Sequence, residues 1–303
     1  MRLVFAGTPD VAVQSLEKLL ASRHEVVAVV TRPDAPTGRG RKLTPSPVSQ
    51  VAQNHGIEVL TPARASEPGF IQRVRDLAPD ACPVVAYGAL LGQELLDVPP
   101  LGWVNLHFSV LPRWRGAAPV QRAIMAGDQV TGTTCFRIVG ELDAGDVIRS
   151  LEVPMPDVTA GELLEQLALL GADQLLESLD ALEAGEEPRP QPAEGITHAA
   201  KVTTETARMD FGVDAHTARN LVMGCSPDPG AWCLLDGQRF KIYRAAVADR
   251  RNLGPGQVEV TRQQVFVGTG SEALELLEVQ APGKRRMPAI DWARGGAGGK
   301  VLA

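Results

Sequence analysis

Cysteine is scarce in this chain, with four residues in 303. Cys82, Cys135, Cys225 and Cys233 fall at unrelated spacings, without a CxxC pair and without histidines at ligand distance. That pattern argues against a zinc module or a disulfide framework, and each thiol reads as a small buried hydrophobe. No run of about 18 apolar residues occurs, so no membrane span is expected. The opening MRLVFAG passes straight into an amphipathic segment without the apolar core and small-residue cleavage site of a signal peptide. A cytoplasmic protein is therefore expected. Positive charge is in deficit too, 30 Lys and Arg against 36 Asp and Glu, a net charge of −6. A general, sequence-blind nucleic-acid binder would carry a basic surplus. Two local basic runs remain, GRGRK at 38–42 and GKRR at 283–286. Gly7 lacks the second and third glycines of a GxGxxG fingerprint, which argues against nicotinamide binding.

What is present points to two domains. The length is about twice that of a usual domain. The hydrophobic fraction of 44% and charged fraction of 22% are those of a folded globular chain. Arg2–Phe5 is a short apolar run ending near Gly7, and apolar residues then recur at helical spacing through Pro9–Ala21. Glu25–Val30, Ala81–Ala86 and Trp103–Phe108 are further strand-like runs, with a helical stretch at Ile71–Leu77. Strands alternating with helices predict an α/β domain with a mostly parallel sheet covered on both faces.

Residues 32–47, RPDAPTGRGRKLTPSP, read as a long loop, and loops of that length in compact domains tend to be functional. Thr159–Ala184 reads as a long helix, with Thr159 and Glu162 in a capping-box arrangement. Prolines at 188, 190 and 192 then favour an extended linker. Beyond it, Ala231–Leu235, Phe240–Tyr243, Gln257–Val260 and Gln264–Val267 alternate with turn residues, which predicts a small β-barrel. The expected division is 1–187 for the catalytic domain, 188–204 for the linker and 205–303 for the barrel.

The candidate chemistry lies in NLHFSVLPRWRGAAPVQRAI, 105–124. Residues two apart on a strand share a face, so Asn105 and His107 project together at the strand's carboxyl end, where open α/β sheets hold ligands. A neutral amide donor beside an imidazole suits acyl transfer, in which an oxyanion develops and a proton must move. Asp143, in ELDAGDVI, is the candidate carboxylate to orient His107 and assist proton removal, and Asp146 is its rival.

Asn105, His107 and Asp143, together with SVLP at 109–112, resemble the Asn, His, Asp and folate-contacting segment of the folate-dependent formyltransferases. FAGTPD at 5–10, PDAPTGRGRKL at 33–43, PSPV at 45–48, LPRWRGAAP, and past the linker PGAW, DGQRFKI and GKRRM, resemble the branch that formylates methionyl-tRNA. Val110 and Ala144 depart mildly from the usual Leu and Thr.

The resemblance implies a Rossmann-like domain followed by an OB-like barrel. It also implies 10-formyltetrahydrofolate as donor and initiator methionyl-tRNA as acceptor. Asn105 and His107 would polarise the formyl oxygen. Ser109, Val110, Leu111 and Pro112 would meet the folate, and Arg39, Arg41 and Lys42 the tRNA; Lys284, Arg285 and Arg286 read either as a further tRNA contact or as an ordinary basic run on the barrel surface. A monomer that needs no metal is expected.

Overall fold

The computed structural model describes residues 1–37 and 42–303. Arg39 and Arg41 lie outside the described residues, as does the side chain of Lys42. Tertiary contacts divide the chain into two units. One comprises residues 1–116, 132–153 and 164–198, and the other 117–131, 154–163 and 199–303.

The first unit is built on seven strands: β1 (Arg2–Gly7), β2 (Glu25–Val30), β3 (Glu58–Leu60), β4 (Cys82–Val85), β5 (Trp103–His107), β6 (Val130–Arg137) and β7 (Val147–Pro154). Their order is β7-β6-β5-β4-β1-β2-β3. The pairs β1–β2, β1–β4, β2–β3 and β4–β5 are parallel, and β5–β6 is antiparallel. From Leu3 onward every residue of β1 is buried, as a strand covered on both faces requires.

Three of the helices start with a proline in their first turn. α1 (Val13–Leu20) buries Leu16 and Leu19. α2 (Pro47–Asn54) begins with Pro at its first turn behind Ser46, whose Oγ accepts from the Ser49 N–H at 3.0 Å. α3 (Pro68–Leu77) presents Phe70, Ile71, Val74 and Leu77 to the core, a stripe at helical spacing. Trp103, only 1% exposed, anchors that core and donates its indole N–H to the Leu95 carbonyl at 2.8 Å.

The strand order places a topological switch at β4 and β1. The chain grows outward from β1 to β3, then returns to the other side with β4 and β5. Ligand crevices of open α/β sheets form at the carboxyl ends of strands beside such a reversal, which is where β5 delivers His107.

Two helices differ from a simple two-part reading. α4 (Pro119–Ala126), expected in the first domain, belongs to the second unit, where it packs on a later helix, α6 (Ala215–Gly224). A Cβ on Gly224 would come within 2.6 Å of Met125 Cγ and 2.9 Å of the Gln121 carbonyl, so only glycine allows that approach. The long helix between them, α5 (Ala160–Glu183), carries the expected capping box: the Thr159 N–H donates to Glu162 Oε2 at 2.8 Å. Its first turn is counted with the second unit and the remainder with the first.

The second unit holds an antiparallel sheet. Its strands are β8 (Ala231–Leu235), β9 (Gln238–Ala248), β10 (Val258–Val260), β11 (Val265–Gly268), β12 (Ala273–Gln280) and β13 (Met287–Pro288), followed by α7 (Ala289–Ala293). The order is β8-β9-β12-β11-β10, with β13 on β12. Residues 299–303 join the two ends of that order. Leu234 and Ala303 exchange N–H···O bonds at 2.6 and 2.9 Å on the β8 side, and Val258 N–H donates to the Lys300 carbonyl at 2.9 Å on the β10 side. The sheet thus closes on itself around Phe240, Ile242, Val265, Leu274 and Val279, all fully buried.

Candidate active site

β5 runs Trp103–His107 between a parallel and an antiparallel neighbour, with Asn105 opposite Val84 and Phe136, and His107 opposite Thr134. The alternation of the pleat puts Asn105 and His107 on one face. Asn105 is half-buried, and among the described residues its amide has no hydrogen-bond partner. His107 is 5% exposed and meets the edge of Phe136 with ring centroids 6.4 Å apart.

The imidazole is oriented from one side by the backbone. His107 Nε2 lies 2.9 Å from the Trp114 carbonyl oxygen. A carbonyl can only accept, so Nε2 carries the hydrogen and Nδ1 is left as the basic nitrogen of the neutral ring. Nδ1 faces Asp143 Oδ2 at 3.8 Å, slightly beyond direct hydrogen-bond reach. Burial pushes the His107 pKa below its ordinary value, opposed by the Asp143 charge and by the bond to Trp114.

Asp143, not Asp146, is the carboxylate brought to the imidazole. Its Oδ2 accepts the Gly116 N–H at 2.7 Å, and its backbone adopts φ +49°, the left-handed region. Asp146 is exposed, and its carbonyl accepts the Arg137 N–H at 2.9 Å. Next to Asp143, Gly145 passes so close to the Arg137 carbonyl that a Cβ would sit 1.7 Å from that oxygen. Only glycine fits there.

The 109–112 segment is pinned rather than free. Ser109 Oγ donates to the Arg113 carbonyl at 2.6 Å. Thr134 Oγ1 donates to the Ser109 carbonyl at 2.8 Å and accepts from the Leu111 N–H at 3.1 Å. Leu111 is buried, while Val110 and Pro112 leave half-exposed apolar surface.

Of the basic run in the second unit, Lys284 and Arg285 are exposed without ion-pair partners among the described residues. Arg286 donates to Glu278 at 2.6 Å and stacks over Tyr243 at 4.5 Å from the ring centroid. Its charge is thus partly neutralised. The group with metal-ligand geometry among the described residues is His24, Asp180 and Glu183. Arg23 already pairs with both of those carboxylates, and the amino terminus with Glu183 at 3.2 Å.

Sequence reasoning missed Arg115, Thr197 and Gln191. Thr197 Oγ1 accepts the Trp114 N–H at 2.9 Å and its carbonyl accepts the Arg115 N–H at 2.9 Å, which fixes the carbonyl that orients His107. Of the three, only Gln191 had a local signal, a polar residue set among the prolines of PRPQP.

With that geometry in view, likeness to known proteins decides the family. Residues 1–179 match the formyl transferase family, and residues 201–297 match its C-terminal domain. The chain belongs to the formyl transferase family. It is similar to a methionyl-tRNA formyltransferase of Streptomyces coelicolor, 56% identical over 299 residues that cover 97% of this chain and 96% of the relative. A methionyl-tRNA formyltransferase of Thermobifida fusca is also 56% identical over the same shares.

Among solved structures, the fold of this formyl transferase resembles a methionyl-tRNA formyltransferase from Clostridium thermocellum. The TM-score is 0.60 at 15% identity, covering 82% of this chain and 94% of that one. It also resembles HypX from Aquifex aeolicus in complex with tetrahydrofolic acid, with a TM-score of 0.64 at 18% identity, covering 96% of this chain and 46% of that one. No helix among the described residues is long and apolar enough to cross a membrane.

Proposed function

We propose that this chain transfers the formyl group of 10-formyltetrahydrofolate to the α-amino group of initiator methionyl-tRNA, giving formylmethionyl-tRNA for translation initiation. The observation that carries this reading is the pairing of His107 Nδ1 with Asp143 Oδ2 at 3.8 Å, while Nε2 is committed to Trp114. Identity of 56% along nearly the whole chain to methionyl-tRNA formyltransferases supports the choice of acceptor.

In the proposed reaction the amine nitrogen attacks the formyl carbon, a C–N bond forms and the carbonyl oxygen becomes an oxyanion. Collapse breaks the bond to N10 of the folate, which gains the proton that the amine loses. The uncommitted Asn105 amide donates to the developing oxyanion. His107, neutral at the outset, takes the amine's proton on Nδ1 and returns it to the departing nitrogen. Asp143 stabilises the imidazolium in between. As an imidazolium, His107 can also donate from Nδ1 to the formyl oxygen.

The folate would lie on Val110 and Pro112, with Ser109 and Leu111 holding that segment in shape. Arg39, Arg41 and Lys42, and more weakly Lys284, Arg285 and Arg286, would contact tRNA phosphates, which position without reading sequence. The catalytic domain is assigned to 1–187 apart from 117–131 and 154–163, which fall in the second unit, the linker to 188–204 and the tRNA-contacting OB-like barrel to 205–303. A cytoplasmic monomer without a metal requirement completes the reading; sedimentation and activity in the presence of a chelator test those last points.

The deciding experiment offers the purified protein charged initiator tRNA and, separately, amino sugars and aminonucleotides, each with the folate donor. Formylated methionyl-tRNA is expected. Turnover of a small amine without turnover of the tRNA would refute the acceptor assignment.

A further inference from the structure

Pro188, Pro190 and Pro192 carry no backbone N–H, so within 188–192 only Arg189 and Gln191 can donate from the main chain. Arg189 pairs with Val147 at the start of β7, exchanging N–H···O bonds of 2.7 and 2.8 Å. The interleaved prolines hold this strap extended along the edge of the sheet. The strap delivers one amide, that of Gln191, to the loop bearing Asp143.

Every polar atom of that amide is used. Nε2 donates to the Asp143 carbonyl at 2.8 Å and to the Gly145 carbonyl at 2.9 Å. Oε1 accepts from Arg115 Nε at 3.1 Å and Nη2 at 2.8 Å. The Arg115 side chain is 7% exposed, and the carboxylate that pairs with it, Glu141 at 3.1 Å, is 76% exposed and belongs to the same loop. A buried guanidinium, a left-handed aspartate and a glycine wedged against Arg137 are thus tied together by one side chain.

We infer that Gln191 is a positioning residue for formyl transfer, clamping the 143–145 loop to Arg115 so that the Asp143 carboxylate faces His107. Three features require such a clamp. Asp143 holds a positive φ, which carries a backbone cost for a non-glycine residue, smallest for Asp and Asn. Its carboxylate must keep the 3.8 Å relation to Nδ1 while also accepting the Gly116 N–H. Without Gln191, the carbonyls of Asp143 and Gly145 and two N–H groups of Arg115 would lose their partners together.

The inference rests on the reading of Asp143 as the acid that serves His107, and the test separates the two. Gln191→Glu keeps an acceptor for Arg115 but removes both donors to the loop carbonyls. Gln191→Met keeps the length and removes everything. Steady-state formylation of methionyl-tRNA should show kcat lowered about 10- to 100-fold in both, with KM for folate and tRNA within about twofold of the parent. Combined with Asp143→Asn, Gln191→Glu should add almost nothing to the loss from Asp143→Asn alone, because both act through one carboxylate.

Parental kcat in Gln191→Glu, with Asp143→Asn crippled, overturns the clamp and leaves Asp143 in the mechanism. Parental kcat in Asp143→Asn overturns the reading of Asp143 and the clamp with it. If Gln191→Met does not fold, Gln191→Glu alone decides. A loss in Gln191→Glu that multiplies fully with that of Asp143→Asn also overturns the clamp.

Discussion

The Trp114 carbonyl oxygen lies 2.9 Å from His107 Nε2, and that contact leaves Nδ1 as the ring nitrogen without a hydrogen in the neutral imidazole. Trp114 has φ +66°, and its own N–H is held by Thr197 Oγ1. The carbonyl's direction is therefore set by the backbone, independently of any substrate.

The pH dependence follows from this burial. His107 titrates below its ordinary value of 6.5, chiefly because burial disfavours the charged ring. Activity that needs the neutral base should persist below pH 6.5 and fall as the pH drops through the folded value. The unfolded chain protonates first, so the stability contributed by neutral His107 is full above pH 6.5 and is lost as the pH falls below it. An NMR titration of the imidazole checks this: a His107 pKa at or above 6.5 contradicts it. Asp143→Asn removes the opposing, raising charge and should move the titration lower still.

Asp143→Asn and His107→Ala should each reduce kcat by roughly 100- to 10,000-fold, the range usual for losing a positioned acid or base. Affinity for methionyl-tRNA should change little, because neither side chain is offered to phosphate. Filter binding alongside single-turnover kinetics separates the two effects. Asp146→Asn, in an exposed residue turned to solvent, should be near neutral.

Salt dependence reports on the basic loop. Replacing Arg39, Arg41 or Lys42 by Ala should flatten the slope of log affinity for tRNA against log salt by about 0.7 to 0.9 per lost contact. Arg286→Ala should do less than Lys284→Ala or Arg285→Ala, since Arg286 is already bonded to Glu278. Equal slopes in the loop variants and the parent would remove the loop from the interface.

All four cysteines are buried and free. Burial raises the Cys135 and Cys233 thiols to about 12 and the Cys225 thiol to about 11, and pushes Cys82 well up too. The native protein should resist a thiol-disulfide reagent at pH 8, and all four should react in denaturant. A rapidly modified cysteine in the folded chain would contradict the burial.

Much of this was legible beforehand for a physical reason. Strand alternation is local, so Asn105 and His107 could be placed on one face from their spacing alone. The Thr159–Glu162 cap, too, is written within four residues. What escaped depends on contacts between distant segments. Prolines around Gln191 signal extension, but nothing local says that an extended stretch is bonded to β7 rather than free. The apolar face of α4 announces burial without naming α6 as its partner, a choice that Gly224 makes from about 100 residues away. That Asp143 rather than Asp146 faces His107 likewise depends on a backbone angle and on Gly116, neither of which has a signature in ELDAGD.

The join made by residues 299–303 has a cost in chain entropy. Leu302 meets Leu235 across a long stretch of intervening sequence, whereas the hairpin β8–β9 closes locally. The seam should form last and open first, detectably as early hydrogen exchange at Leu234 and Val258. While it is open, β10 and the Leu234 end of β8 present bare edges, whereas Trp232 of β8 stays bonded to Ala207 and Met209. At high protein concentration the tail of one molecule could fill the gap of another, giving a strand-exchanged dimer whose amount grows with time spent near the unfolding temperature.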